Sequence, residues 1–197
     1  MTSPYQPAAG LKKLKYTAVE NSLLEYDKAI SFPILSVING YATQKEAIEI
    51  IYILSDYENA RINYEAFKIQ LNELCVEKDI TYKIAEVEIP YNELIETQLN
   101  TFQKLINCVN DNDTLYACIT FGSKPVPMIE TMALNYAYRL HENVKIGCIV
   151  YGQLDHNTGE MRIYDITSLF YMDEIVRMLA EQKVSEPKKQ IEALLNL

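Results

Sequence analysis

Residues 115–140 read LYACIT, FGSKPVP and MIETMALNYAYRL in succession, and this stretch decides how the chain folds. Its first part is an apolar run typical of a buried strand. Its middle part contains a glycine, a serine and two prolines, which favour a tight turn. Its last part carries apolar residues at helical spacing. A strand, a turn and a helix in this order predict one βα unit of a parallel sheet.

The turn of this unit has the chemistry of an anion site. Gly122 lets the backbone approach a ligand closely, and Lys124 supplies a positive charge. The start of a helix offers free N–H groups and the positive end of the helix dipole. Ser123 can cap this helix, and Pro125 and Pro127 suit its first positions. Because the Walker A and Gly-x-Gly-x-x-Gly patterns are absent, an ordinary βα turn with a surface lysine is the alternative interpretation.

The composition is that of one globular domain, with 197 residues of which 49% are hydrophobic and 23% charged. The net charge of −9 argues against a broad nucleic-acid surface, but a small anionic ligand needs only local positive charge. No apolar run of about 18 residues predicts a membrane span, and the N-terminus has no signal-peptide pattern. We expect a cytoplasmic protein, unless a membrane segment precedes the linker-like residues 1–10.

Cysteines and histidines offer little for disulfide or metal chemistry in this chain. The four cysteines lie in or beside apolar runs without a CxxC pair, which indicates reduced core residues; they are Cys75, Cys108, Cys118 and Cys148. His141 and His156 have no cluster of other ligands near them in the sequence. We therefore expect no metal and no cofactor.

Further strands and helices alternate on both sides of the central unit. A helical arm is expected over residues 11–29, and a central strand over 31–38, followed by a turn at 39–42. Strands are also predicted at 47–55, 81–89, 144–151 and 161–166, and helices at 59–78, 91–109 and 168–182. The pattern predicts an α/β, Rossmann-like domain with a mainly parallel central sheet flanked by helices and a C-terminal β-hairpin. The expected limits are an N-terminal linker and helical arm over 1–29, a ligand-binding domain over 30–183 and a C-terminal tail over 184–197.

Sheets of this kind bind ligands beyond the carboxyl ends of their strands, at a switch point of the topology. Two predicted turns follow strands and carry suitable residues, one at 39–41 and one at 122–125. We expect them to lie side by side. The candidate ligand-binding residues are Asn39, Gly40, Tyr41, Thr120, Phe121, Gly122, Ser123, Lys124 and Pro125.

The run FPILSVINGY at residues 32–41, followed by TFGSKP at 120–125 and a helix, resembles the CARF family, the CRISPR-associated Rossmann fold. The resemblance covers about residues 30–180, with a strand–Asn-Gly turn and a strand–Gly-Ser/Thr-Lys-Pro turn as its motifs. It implies a homodimer that binds one cyclic oligoadenylate ring, most often the tetra-adenylate, across its two-fold axis. Such rings are second messengers of type III CRISPR antiviral defence, and their binding switches an effector.

The resemblance also implies roles for individual residues. Lys124 and the N–H groups after Gly122 would hold phosphate or ribose oxygens, Asn39 would contact an adenine edge or a ribose, and Tyr41 would stack on a base. Turn formation is an equally good interpretation of Asn39. Because the chain has 15 tyrosines, packing is the alternative interpretation of Tyr41.

Three functions are compatible with this sequence. The first, which we favour, is a sensor that binds the ring and relays to an effector. The second is a metal-independent ring nuclease in which a ribose 2′-OH attacks its neighbouring phosphate, although no general base stands out and no catalytic residue is assigned. The third, independent of the resemblance, is a domain that binds an ordinary nucleotide or serves as a scaffold. No effector module is recognisable after residue 182, so either the domain works alone, or an effector lies in a segment outside this sequence, such as one upstream, or it is a partner chain.

Overall fold

The computed structural model describes residues 1–2, 11–155 and 157–196. The predicted linker at 3–10 and His156 lie outside the described residues. The strands in chain order are β1 (Tyr16–Val19), β2 (Ala47–Ser55), β3 (Thr81–Ile89), β4 (Thr114–Cys118), β5 (Lys145–Leu154) and β6 (Met161–Asp165). The helices are α1 (Ile34–Tyr41), α2 (Glu58–Lys78), α3 (Ile95–Ile106), α4 (Pro125–Leu140), α5 (Thr167–Glu181) and α6 (Pro187–Leu195).

The strands form a mainly parallel sheet in which the first two residues of the chain join two parts. One part has the order β1-β6-β5-β4 and the other pairs β2 with β3. Thr2 bridges them, because it pairs in parallel with Tyr52 of β2 and with Cys118 of β4. Among the six strands of the described residues, only the β5–β6 pair is antiparallel, and it forms the predicted C-terminal hairpin. The α/β fold class is therefore confirmed.

Helices cover both faces of this sheet. On one face, Phe32 before α1 and Phe67 of α2 meet edge to face, with ring centroids 5.3 Å apart, and Tyr52 of β2 packs against the same Phe67. On the other face, Leu105 of α3 and Leu134 of α4 are fully buried in a second cluster. Alternate residues of β2 belong to opposite clusters, as the two-residue period of a strand requires.

The cysteines are all free, and three of the four are buried while Cys108 is half-buried. Burial raises the pKa of the Cys148 thiol to about 12, which keeps it protonated. Within the ranges that the structure describes, no helix is both long and apolar enough to cross a membrane.

The prediction of a central strand at residues 31–38 was wrong, because this segment forms α1. Pro33 directly precedes the helix, where its missing N–H costs no hydrogen bond. The helix is covered on every side, which leaves five consecutive residues buried from Ile34 to Ile38. A short apolar run of this kind is typical of a fully buried helix and of a fully buried strand alike, so its sequence does not distinguish them. The central position of the sheet belongs instead to Met1 and Thr2.

The prediction of a helical arm at residues 11–29 was also wrong. This segment contains β1, which pairs in parallel with β6, and a short 3-10 helix at Ser22–Leu24. Glu20 has a φ of 64°, a left-handed conformation that no α-helix continues through. Asn21 then caps the 3-10 helix by accepting a hydrogen bond from the N–H of Leu23. The predicted domain limits stay a prediction.

Candidate ligand site at the carboxyl edge of the sheet

The loop at residues 119–124 lies at the switch point of the sheet. From the centre of the sheet, successive strands run from β2 to β3 on one side and from β4 to β5 on the other. The loop after β4 therefore lies where the two directions diverge. The loop is anchored to β5, because Ile119 donates its N–H to the carbonyl of Val150 at 3.0 Å. The hydroxyl of Thr120 accepts a hydrogen bond from the N–H of Gly152 at 2.8 Å.

The backbone of this loop offers consecutive donors to a ligand. Gly122 has a φ of 109°, which favours glycine, and the N–H groups of Gly122, Ser123 and Lys124 donate to no acceptor within residues 1–2, 11–155 and 157–196. The Lys124 side chain is exposed. It forms no ion pair with any side chain that the structure describes. Successive free N–H groups beside a lysine form a concave site suited to an anion.

The first turn of α4 does not supply the hydrogen-bond donors that the sequence predicted there. Pro125 and Pro127 have no N–H, and Val126 donates its own to the carbonyl of Ser123 at 2.9 Å. Lys124, rather than Ser123, stands at the N-cap position, and no side chain caps the helix. The available donors therefore lie in the loop before the helix, and the helix contributes the positive end of its dipole.

A cleft of 390 Å³ opens beside the loop, between the carboxyl ends of β2 and β3 and the first turns of α3 and α4. Its polar lining comes from Ser55, Asn92, Glu93, Thr97, Gln98, Thr101 and Ser123. Asn92 is held in place, since its Oδ1 accepts hydrogen bonds from the Thr97 hydroxyl at 2.7 Å and from the N–H of Leu94 at 3.0 Å. The cleft therefore suits a polar ligand whose charged group reaches the loop at its rim.

Residues 39–41 lie at the opposite end of the molecule from this loop. Pro33, at the start of α1, packs on Gly152 near the carboxyl end of β5. A Cβ added to Gly152 would lie 2.8 Å from the Cγ of Pro33. Tyr41, at the end of α1, packs on Tyr116 with ring centroids 5.2 Å apart and borders a cavity at the amino ends of β2, β3 and β4. The expectation that the two predicted turns lie side by side was wrong.

The three residues at 39–41 make packing contacts inside the fold. Asn39 donates from Nδ2 to the carbonyl of Glu25 at 3.3 Å. Gly40 packs so closely on the 3-10 helix that an added Cβ would lie 1.7 Å from the carbonyl oxygen of Leu23. The Tyr41 hydroxyl accepts a hydrogen bond from Nδ2 of Asn21 at 2.9 Å. These contacts attach α1 to the segment after β1.

The contribution of β2 and β3 to the cleft was not predicted from the sequence. Both strands were predicted with correct limits, so Ser55 and the residues after Ile89 could have been nominated as strand ends at the same edge of the sheet. The signal was weak because Ser55 and Asn92 belong to no motif. His141, in contrast, lies away from this edge and contacts Asp111 at 2.9 Å.

A buried carboxylate lies on α4 behind the loop. Glu130 is fully buried, and neither of its side-chain oxygens has a hydrogen-bond partner. Burial raises the pKa of Glu130 to about 8, so the side chain is largely protonated at neutral pH. Glu130 is not exposed at the cleft and is not a candidate for contact with a ligand.

Comparison with known proteins adds one relative. No protein-family model matches the chain. A region of 149 residues, 75% of the chain, is 30% identical to the CRISPR-associated protein MJ1674 of Methanocaldococcus jannaschii. This chain spans about a fifth of the relative's length, since the match covers 22% of that protein. The similarity relates most of this chain to a part of that CRISPR-associated protein.

Proposed function

We propose that this chain is a homodimeric sensor of a cyclic oligoadenylate, most simply cyclic tetra-adenylate, in type III CRISPR signalling. The observation that carries the proposal is the run of free N–H groups from Gly122 to Lys124 at the switch point of the sheet. The similarity to a CRISPR-associated protein supports it, as does the CARF-like TFGSKP turn. The bound ring would signal to an effector in a partner chain or in another part of the polypeptide.

The loop and the cleft would divide the work of binding. Phosphate oxygens would accept hydrogen bonds from the loop N–H groups, and the Lys124 ammonium would neutralise their charge. The polar groups of the cleft would contact an adenine edge or a ribose, with Asn92 the best placed because its side chain is already oriented. Asn39 and Tyr41 have no part in this proposal, since they lie at the other edge of the sheet.

An exposed apolar face next to the loop supports the homodimer. It consists of Ile95 and Leu99 on α3 and Met128 and Met132 on α4, each more than half exposed. The two helices are neighbours, since the rings of Phe102 and Tyr136 pack edge to face with centroids 5.9 Å apart. A second copy covering this face would bring two loops near one two-fold axis, because Ile95 and Met128 lie near the helix starts.

Titration calorimetry with cyclic tetra-adenylate tests the proposal. We expect Lys124→Ala to weaken binding at least tenfold, which corresponds to the loss of about 1.4 kcal/mol. Lys145→Ala is the matched control, because Lys145 is also exposed but begins β5 at the opposite edge of the sheet. Equal affinity in wild type and Lys124→Ala, or no binding of cyclic tetra-adenylate by the wild-type protein, would contradict the proposal.

The same incubations distinguish a sensor from a ring nuclease. A sensor leaves the ring intact, whereas a ring nuclease releases linear products with cyclic 2′,3′-phosphate ends in the absence of metal. Chromatography of the ligand after incubation separates the two forms. Products that disappear in Lys124→Ala would replace the sensor with the enzyme, at the same site.

A further inference from the structure

Helix α5 has an apolar side that faces away from the domain. Its other side holds it in place, since Phe170 and Glu174 are the residues of α5 that are buried. The outer side carries four apolar residues at a spacing of three or four, which we call the α5 stripe: Leu169, Met172, Val176 and Leu179. Leu169 is 67% exposed, and the other three are exposed over a smaller part of their surface. The stripe is therefore an apolar surface open to a partner.

Helix α6 presents a second apolar surface in the same chain. None of the residues 187–195 that form this helix is buried. Ile191, Leu194 and Leu195 lie on one side of it, because residues three and four apart are neighbours on a helix. A helix of nine residues is marginally stable in water, because isolated helices need about 12–15 residues. A surface that covers the apolar side of α6 would stabilise it.

The turn between the two helices directs α6 away from the stripe of its own chain. α5 ends in a Schellman motif, in which the N–H of Lys183 donates to the carbonyl of Ala180 at 3.2 Å. In the same motif, the N–H of Val184 donates to the carbonyl of Leu179 at 3.1 Å. Lys183 and Glu186 both have a left-handed backbone, with φ of 49° and 59°. These residues set the direction in which the chain leaves α5, and both apolar surfaces stay exposed.

The second half of α5 leads toward the face of α3 and α4 that the proposed homodimer covers. α5 starts at the amino edge of the sheet, where the Tyr171 hydroxyl donates to the carbonyl of Ile146 at 3.1 Å. The last turn of α4 lies against this first half, since Nε of Arg139 donates to the Glu174 carboxylate at 2.6 Å. The two helices therefore run in opposite directions, and α5 ends toward the edge where α4 begins with Met128. α6 leaves the domain on this side, which a second copy approaches.

We propose that α6 of each protomer packs on the α5 stripe of a second copy, so that two exchanged helices hold the homodimer together. The inference rests on the homodimer of the proposed function. At 1.5 Å per residue, α6 is about 14 Å long and the stripe spans about 15 Å from Leu169 to Leu179. One chain supplies both the apolar helix and the apolar surface, so a two-fold exchange covers both in each protomer and closes the dimer.

Cross-linking between two coexpressed forms of the full chain tests this contact. Cys108 is replaced with serine in both forms, because the other three cysteines are buried. One form carries Val176→Cys and the other carries Leu194→Cys, and a short bismaleimide reagent joins thiols that lie close together. We expect a product of twice the chain mass, in which mass spectrometry finds a linked peptide pair that contains both positions.

A form with Ile69→Cys in place of Val176→Cys is the control for chance collisions. Ile69 is exposed on α2, which packs on the opposite face of the sheet from α5. We expect no linked product between this form and the chain that carries Leu194→Cys.

Sedimentation equilibrium measures how much α6 contributes to the dimer. We expect Leu194→Glu to raise the dimer dissociation constant at least about tenfold, because a carboxylate would be buried against the stripe. Ile62→Glu is the matched control, because Ile62 on α2 is 47% exposed and Leu194 is 46% exposed. The control should change the dissociation constant by less than about twofold. Met132→Glu tests the face of α3 and α4 separately.

The outcomes distinguish this inference from the proposed function. Absence of the linked product, or equal dissociation constants for wild type and Leu194→Glu, would overturn the exchange. A dimer that Met132→Glu weakens would in that case leave the homodimer of the proposed function intact. The linked product in a protein that binds no cyclic tetra-adenylate would support the exchange and contradict the proposed function. A wild-type chain that stays monomeric would overturn both the exchange and the homodimer.

Discussion

Replacing Gly40 with alanine should destabilise the protein, although the same change usually stabilises a helix. Gly40 lies in the last turn of α1, where glycine costs about 0.5–1 kcal/mol relative to alanine. An added Cβ would lie 1.7 Å from the carbonyl oxygen of Leu23 and 2.7 Å from its carbonyl carbon, whereas ordinary contacts begin at 3.4 Å. The backbone of α1 and the 3-10 helix must therefore move apart.

The size of this effect follows from what the movement disturbs. Forcing an extra carbon into a packed interior costs about 1–3 kcal/mol. The 3-10 helix also carries Leu24, which is fully buried, and its partial exposure adds about 1 kcal/mol. After subtraction of the 0.5–1 kcal/mol that glycine costs in the helix, the net loss is about 1–3.5 kcal/mol. The unfolding temperature should therefore fall by roughly 2–14 °C for a chain of this length.

Urea unfolding followed by circular dichroism measures this difference. Asn39→Ala is the matched control, because it changes the neighbouring residue of the same turn and removes only the 3.3 Å hydrogen bond to Glu25. We expect its stability to stay within about 0.5 kcal/mol of wild type. A Gly40→Ala protein as stable as wild type would refute the packing role of Gly40 and the position of α1 on which it depends.

Three further changes give distinct results. Gly122→Val should lower the unfolding temperature and abolish ligand binding. The φ of Gly122 is 109°, which valine rarely adopts, and an added Cβ would lie 3.2 Å from the Cβ of Val126. Differential scanning fluorimetry with and without cyclic tetra-adenylate measures the unfolding temperature and the binding. The pKa of Glu130 is raised from 4.5 to about 8, so between these pH values the folded state holds a proton that the unfolded state has lost. The free energy of unfolding should therefore fall as pH rises from 4.5 to 8. In urea titrations at several pH values, Glu130→Gln should show a smaller change of this free energy with pH. Arg139→Ala should lower the free energy of unfolding by about 1–2 kcal/mol, because Nε of Arg139 donates at 2.6 Å to the buried carboxylate of Glu174. Glu174 would keep Arg177 as its other arginine partner. A loss below about 0.5 kcal/mol in urea unfolding would contradict this role of Arg139.

The sequence determined the fold class and most of the regular elements. The limits of β2 and β3 were predicted to the residue, and α2 and α5 were predicted to within one residue at each end. These segments carry local signals: apolar β-branched runs for the strands, and apolar residues on one face for the helices. The hairpin of β5 and β6 was also confirmed, because a polar turn separates two short strand patterns.

For the loop after β4, the sequence motif predicted the position of the loop but not the groups that it offers to a ligand. Its place between a strand and a helix followed from the sequence, because glycine and proline interrupt both periodicities. The source of its hydrogen-bond donors did not follow, since it depends on which carbonyl Val126 reaches. The cleft beside it depends on β2, β3 and α3, which are brought to this edge by the order of strands in the sheet.

Tertiary structure alone decided what residues 31–41 form and which segments meet. A run that is buried on every side has no polar face, so its sequence does not distinguish a helix from a strand. Met1 and Thr2 lie at the central position of the sheet, and two residues are too few to show a strand periodicity. Strand pairing joins residues that are far apart in the chain, such as Thr2 and Cys118, and such pairing is set by packing of the whole domain rather than by any local pattern.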